Sequence, residues 1–138
     1  MGVVVLDSGV VIAALDATDA HHAATARAMR AARDRGDSFV LPASAYAEAL
    51  VRPAMRGATT IAQVDDALDA AGIAIADADR AIARRAAALR AGHPSLRLPD
   101  ALVIATAVDR DADNLLTTDQ RWKGLRQLGL RGRLTVVA

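Results

Sequence analysis

Short β-branched runs alternate with Ala-rich stretches of helical length along the whole chain, and few folds accommodate that rhythm. Val3 to Leu6 predicts a buried strand and Gly9 to Leu15 a short apolar helix, with Asp7 at the junction as the only charge in the first fifteen residues. From Asp19 an expected N-cap opens an Ala-rich helix that Gly36 terminates, and "SFVLP" follows as a second strand. "PASAYAEALV" predicts a third helix with Pro42 near its first turn and Pro53 ending or kinking it. Thr59 or Thr60 is the expected cap of the next helix, Gly72 hands over to the strand "IAIA", and Asp77 is expected to start a basic helix that ends at Gly92. The loop "HPSLRL" leads to a helix opened by Pro99, then to the strand "NLLTT", the short helix "DQRWKGL" and a final strand "RLTVV". Strands separated by helices imply parallel pairing, so the expected class is an α/β sandwich with a mainly parallel sheet.

Composition narrows what such a sheet is for. At 138 residues and 14.3 kDa the chain fits one domain, 1–138, and with 53% hydrophobic residues it is a folded rather than a disordered protein. Phe39, Tyr46 and Trp122 are the only aromatics, so the core must be largely aliphatic. Cysteine is absent, which excludes disulfides and thiolate metal sites and restricts any metal to oxygen or imidazole ligands. No basic segment precedes the first apolar run, and Asp7 interrupts it, so a cytoplasmic protein without a membrane span is expected. The net charge of +1 predicts no strong bulk attraction to nucleic acid.

In parallel α/β sheets, sites form outside the carboxyl ends of the strands. Asp7 and Asp119 each fall directly after a strand, Glu48 lies in the helix after the second strand, and Asp100 lies in the first turn of the helix before the fourth. Each aspartate alone also has an ordinary reading, as a cap or as a favourable charge at a helix N-terminus. Glu48, the sole glutamate, lies inside a helix where no cap explains it. Gathered in one place, such acids repel, each close pair by up to about 4 kcal/mol at an effective dielectric near 20, and something positive must offset that. An oxygen-only ligand set points to Mg²⁺ or Mn²⁺, and phosphodiester hydrolysis is the chemistry such ions most often serve.

The segments "LDSGVVIA", "SAYAEAL", "LPDALVIATA" and "LLTTDQRW", in this order and spacing, are similar to the PIN-domain family and within it to the VapC-like toxin ribonucleases of bacterial type II toxin–antitoxin pairs. The resemblance implies a three-layer α/β/α sandwich with a mainly parallel central sheet of four to five strands. It also implies a metal-dependent endoribonuclease in which Asp7, Glu48, Asp100 and Asp119 form the acidic quartet. Asp7 and Asp100 become the expected direct metal ligands, Glu48 binds the metal or orients its water, and Asp119 acts directly or through water. Ser8 and Thr118 take the positions of supporting hydroxyls. The implied partners are an RNA substrate (tRNA, rRNA or mRNA) and a cognate antitoxin. The short Ala-lined helices, with few aromatics to complete a core, lead us to expect a homodimer.

Other features carry less. Asp109, Asp111 and Asp113 resemble the start of a calcium loop, but Asn114 and Gln120 stand where that loop needs Gly and Glu. His21 and His22 are adjacent and face different ways on a helix, and His93 falls in a loop, so none is assigned to catalysis. Arg52, Arg56, Arg97, Arg121 and Lys123 lie near the acidic segments in sequence and are candidates for RNA phosphate contacts or for solvated surface. Two other classes compete. A non-catalytic PIN-like module that binds RNA or protein would be expected to have lost an acid of the quartet. A receiver-like phosphoacceptor domain wants an acidic pair before Asp7, where Leu6 stands, and a lysine after the last strand, whereas Lys123 precedes it.

Overall fold

The computed structural model describes residues 1–124 and 128–138. Five strands, β1 (Val3–Leu6), β2 (Ser38–Pro42), β3 (Ile73–Ala76), β4 (Asn114–Thr117) and β5 (Arg133–Val136), form one sheet in the order β3-β2-β1-β4-β5. Every pairing is parallel, with Val5 level with Val40 on one side and with Leu115 on the other. The connections are α1 (Ser8–Leu15), α2 (His22–Asp34), α3 (Ala43–Arg56), α4 (Ala58–Ala70), α5 (Arg80–Gly92) and α6 (Leu98–Asp109), with a short 3₁₀ helix at Gln120–Gly124. The result is a three-layer α/β/α sandwich.

Topology positions the site. The chain moves from β1 to β2 to β3 in one direction, then returns through α5 and α6 to place β4 on the other side of β1. Right-handed crossovers in opposite directions put their helices on opposite faces, so the chain reverses its winding at the β1–β4 boundary. The crevice outside the carboxyl ends of β1 and β4 is therefore open at the centre of the sheet. The core beneath it is aliphatic, with Val5, Leu6, Leu41, Ile104 and Leu115 fully buried. α6 is buried along Ala101 and from Val103 to Ala107, as expected of a helix whose sequence is apolar almost all round. Of the aromatics, Trp122 and Phe39 are buried.

Several boundaries differ from the sequence reading, each for a local reason. α3 runs through Pro53 to Arg56, and α4 begins at once after Gly57, whose φ of 112° joins the two helices. Only glycine adopts that conformation readily, so a backbone turn does what Thr59 or Thr60 was expected to do by capping. α5 is capped by Asp79, which accepts from the Ile82 N–H at 2.9 Å, two residues beyond the expected Asp77. α2 starts at His22 rather than at Asp19, whose carboxylate instead accepts from the His21 N–H. The helix expected over "DQRWKGL" is the 3₁₀ helix as far as Gly124, and its last residue, Leu125, lies outside the described residues. Asp113 accepts from the Val3 N–H at 2.7 Å and so ties the loop before β4 to the start of β1.

Candidate active site

Asp7 leaves the sheet at its centre. Its N–H still donates to the Leu116 carbonyl at 3.0 Å, and its extended backbone (φ −77°, ψ 161°) then turns the chain into α1. Both carboxylate oxygens are engaged by neutral donors: Oδ1 accepts from the Ser8 N–H at 2.8 Å and Oδ2 from the Thr117 hydroxyl at 2.8 Å. Asp7 thus caps α1, as its ordinary reading requires. Capping does not explain its burial, with 8% of its surface exposed. Loss of water pushes its pKa up to about 6, against the two hydrogen bonds, and the nearby charges of Asp100 and Glu48 push the same way.

Ser8 links Asp7 to the next acid. Its N–H holds Asp7, while its hydroxyl donates to Glu48 Oε2 at 3.0 Å, so one residue at the start of α1 fixes carboxylates from two elements. Glu48 itself projects from α3 into solvent. Asp100, in the first turn of α6, is 7% exposed and accepts through Oδ2 from Arg97 Nε at 3.3 Å. Asp119 caps the 3₁₀ helix by accepting from the Arg121 N–H, and the guanidinium of Arg121 grips both its oxygens, with Nη2 to Oδ2 at 2.7 Å. That fork holds the Asp119 carboxyl below the usual range.

All four acids lie at the carboxyl end of the sheet, in two sets. Asp7 and Glu48 are held by hydroxyl and amide donors; Asp100 and Asp119 are held by arginines. Among the described residues, no three Asp, Glu or His side chains converge in an arrangement that would grip a metal ion. The histidines serve elsewhere, His22 Nδ1 lying 2.7 Å from the Ala13 carbonyl oxygen and His93 Nδ1 3.1 Å from that of Leu89. A shallow cavity beside the acids is lined by Ser95, Leu96, Asp100, Arg121 and Trp122.

The hydroxyl bonded to Asp7 comes from Thr117, which also accepts from the Asp119 N–H at 3.1 Å. Thr118 Oγ1 lies against Gly9, where an added Cβ would clash with it. Sequence reasoning missed Thr117. β4 is buried at every position, so no polar–apolar alternation in its sequence told which of the two hydroxyls faces Asp7.

A family model described as the PIN domain matches residues 4–128. The chain belongs to the PIN-domain family. No curated protein matches this PIN domain in sequence. Among solved structures it is similar to a chain of VapBC2 from Rickettsia felis bound to a DNA fragment from their promoter, at TM-score 0.75 and 12% identity, with 99% of each chain covered. It is similar also to a chain of a toxin–antitoxin complex from Klebsiella pneumoniae (TM-score 0.71, 21% identity, 96% of each chain). Mycobacterium tuberculosis VapC20, a sarcin-ricin loop cleaving toxin, matches at TM-score 0.68 and 13% identity over 89% of this PIN domain and 96% of that chain.

Proposed function

We propose that this PIN domain is a divalent-metal-dependent endoribonuclease, the toxin of a toxin–antitoxin pair. Asp7 carries the reading: a carboxylate raised chiefly by burial and further by two neighbouring acids, to which no arginine or lysine is bonded among the described residues. A carboxylate in that position is stable in its charged form when a cation lies against it. The donors are all carboxylate oxygens, which fits Mg²⁺ or Mn²⁺. Asp7 and Asp100 would bind such an ion directly, with Glu48 and Asp119 binding it or orienting its waters. An ion bound there would supply Lewis acidity toward a phosphate oxygen and a more acidic water, and hydrolysis of the phosphodiester by that water would leave a 5′-phosphate and a 3′-hydroxyl.

The protein's part is placement. Thr117 keeps Asp7 in one rotamer and ties it to the backbone of Asp119, and Ser8 sets the separation of Asp7 and Glu48. The likeness in fold to toxin–antitoxin chains supports an antitoxin partner, and α1 and α3, packed together, leave Ile12, Leu15, Val51 and Met55 exposed for such a contact. Among the described residues no helix is long and apolar enough to cross a membrane. We place the protein in the cytoplasm as a homodimer, and light scattering giving a particle of 14.3 kDa would exclude the dimer. For the activity, purified protein is incubated with total RNA with Mg²⁺, with Mn²⁺ and with EDTA, and the new ends are mapped. Cleavage that survives EDTA, or ends carrying a 2′,3′-cyclic phosphate, would overturn the mechanism.

A further inference from the structure

Away from the acids, a second cavity lies between α2 and the sheet. Val4, Asn114 and Arg133 stand level across β1, β4 and β5 and so share one face, on which Leu116 and Thr135 follow two residues on. Asn114 and Arg133 are the first residues of their strands, which puts this cavity at the amino end of the sheet, opposite to Asp7. α2 covers it with Ala28, Ala31 and Ala32, side chains too short to fill the space, and a cavity of about 200 Å³ remains. Loose packing by itself leaves an apolar void, and this one is polar on one side. Asn114, 7% exposed, lies in its wall: Oδ1 accepts from the Thr135 hydroxyl at 2.9 Å, which fixes the amide plane and leaves Nδ2 with no hydrogen-bond partner among the described residues. Two guanidiniums line the same cavity. Arg35 is committed, its Nε donating to Asp37 Oδ2 at 3.0 Å, while Arg133 forms no ion pair among the described residues.

We infer that this cavity binds a small aliphatic carboxylate, whose oxygens accept from Asn114 Nδ2 and from the Arg133 guanidinium while its hydrocarbon tail lies against Ala28, Val4 and Leu116. One unpaired guanidinium matches one negative charge, and its planar fork matches two carboxylate oxygens. A phosphate dianion would bring a second charge and a third oxygen, for which the lining holds no unspent cation. The buried amide gains its missing acceptor when the carboxylate enters, so the contact that binds the ligand also satisfies Asn114. Size limits the tail: a void of roughly 150 Å³ holds a six-carbon ring, so a ligand of about six to eight non-hydrogen atoms fits.

Titration of the isotope-labelled full chain with butyrate at neutral pH, followed by NMR, decides it. The side-chain amide of Asn114 should shift saturably at millimolar concentrations or below. Butyramide, which has the same shape without the charge, and inorganic phosphate should each bind at least about tenfold more weakly. Arg133→Gln, at an exposed residue, should weaken butyrate by about tenfold or more, and Ala28→Leu, which fills the cavity, should abolish the shift while circular dichroism shows the fold retained. An Asn114 amide that does not respond to butyrate, butyramide or phosphate bound as tightly as butyrate, or butyrate binding unchanged in Arg133→Gln, overturns the inference. Should Ala28→Leu fail to fold, Arg133→Gln decides alone.

Discussion

Replacing Asp7 with asparagine should make the metal-free protein more stable near neutral pH and less stable in acid. The carboxyl of Asp7 has its pKa raised from 3.8 to about 6, chiefly by desolvation. The folded state then binds a proton more tightly than the unfolded state. The stability this contributes is fully present below pH 4 and is lost as pH rises through 6, a loss of about 3 kcal/mol by pH 8. Asparagine carries no charge, so Asp7→Asn escapes that loss. It keeps an acceptor for the Ser8 N–H but turns an amide N–H₂ toward Thr117 Oγ1, which now donates to Asp7 Oδ2. Reversing that hydrogen bond costs about 1 kcal/mol at every pH. The variant should therefore be roughly 2 kcal/mol more stable than wild type near pH 8 and about 1 kcal/mol less stable near pH 4, with the two curves crossing between. Urea unfolding in EDTA across this range measures the difference directly, and subtracting the curves cancels Asp119 and Asp16, whose lowered values make them lose stability in acid instead. On adding Mg²⁺ the wild type should gain stability and Asp7→Asn much less, because only a ligand that binds the folded state shifts the equilibrium. A variant less stable by the same amount at all pH values would refute the account of Asp7 as a buried, cation-seeking charge.

Thr117→Val removes the hydroxyl that serves both Asp7 and the Asp119 N–H, and should cost about 1–3 kcal/mol in thermal unfolding while pushing the Asp7 titration still higher; an unchanged pH profile would count against that link. Gly9→Ala should drive Thr118 from its rotamer at a cost of order 1 kcal/mol, and Gly9→Ala/Thr118→Ala should recover most of it, because the clash is with Thr118 Oγ1 alone. Asp79→Ala should cost about 1 kcal/mol through loss of the α5 cap, whereas Asp77→Ala should cost little; equal effects would contradict the observed start of α5. Trp122→Ala, at a residue 2% exposed, should cost about 3–5 kcal/mol and loosen the 3₁₀ helix that presents Arg121, which calorimetry and Mn²⁺ binding would register separately.

The sheet was legible in the sequence because its evidence is local. Val3–Leu6, Ser38–Pro42 and Ile73–Ala76 are short apolar runs that read as strands, the last of them half exposed at the edge of the sheet, and the Ala-rich stretches between them are long enough for parallel crossovers. The placement of Asp7, Glu48, Asp100 and Asp119 at one end followed from the same logic, since helices in such a fold start where strands finish. Helix starts were less legible: Asp77 and Asp79 are equally good caps by residue type, and which of them meets an N–H depends on where the backbone leaves β3. Tertiary structure alone decided what surrounds the acids. Whether Thr117 or Thr118 faces Asp7 depends on the register of β4 against β1, and the pairing of Arg97 with Asp100 and of Arg121 with Asp119 depends on how two chain turns present their side chains. Above all, residue type says that Asp7 is an acid, but only packing makes it a buried one. Its cost of ionisation is set by the water that the β1–β4 crevice excludes, a property of the assembled surface and of no segment taken alone.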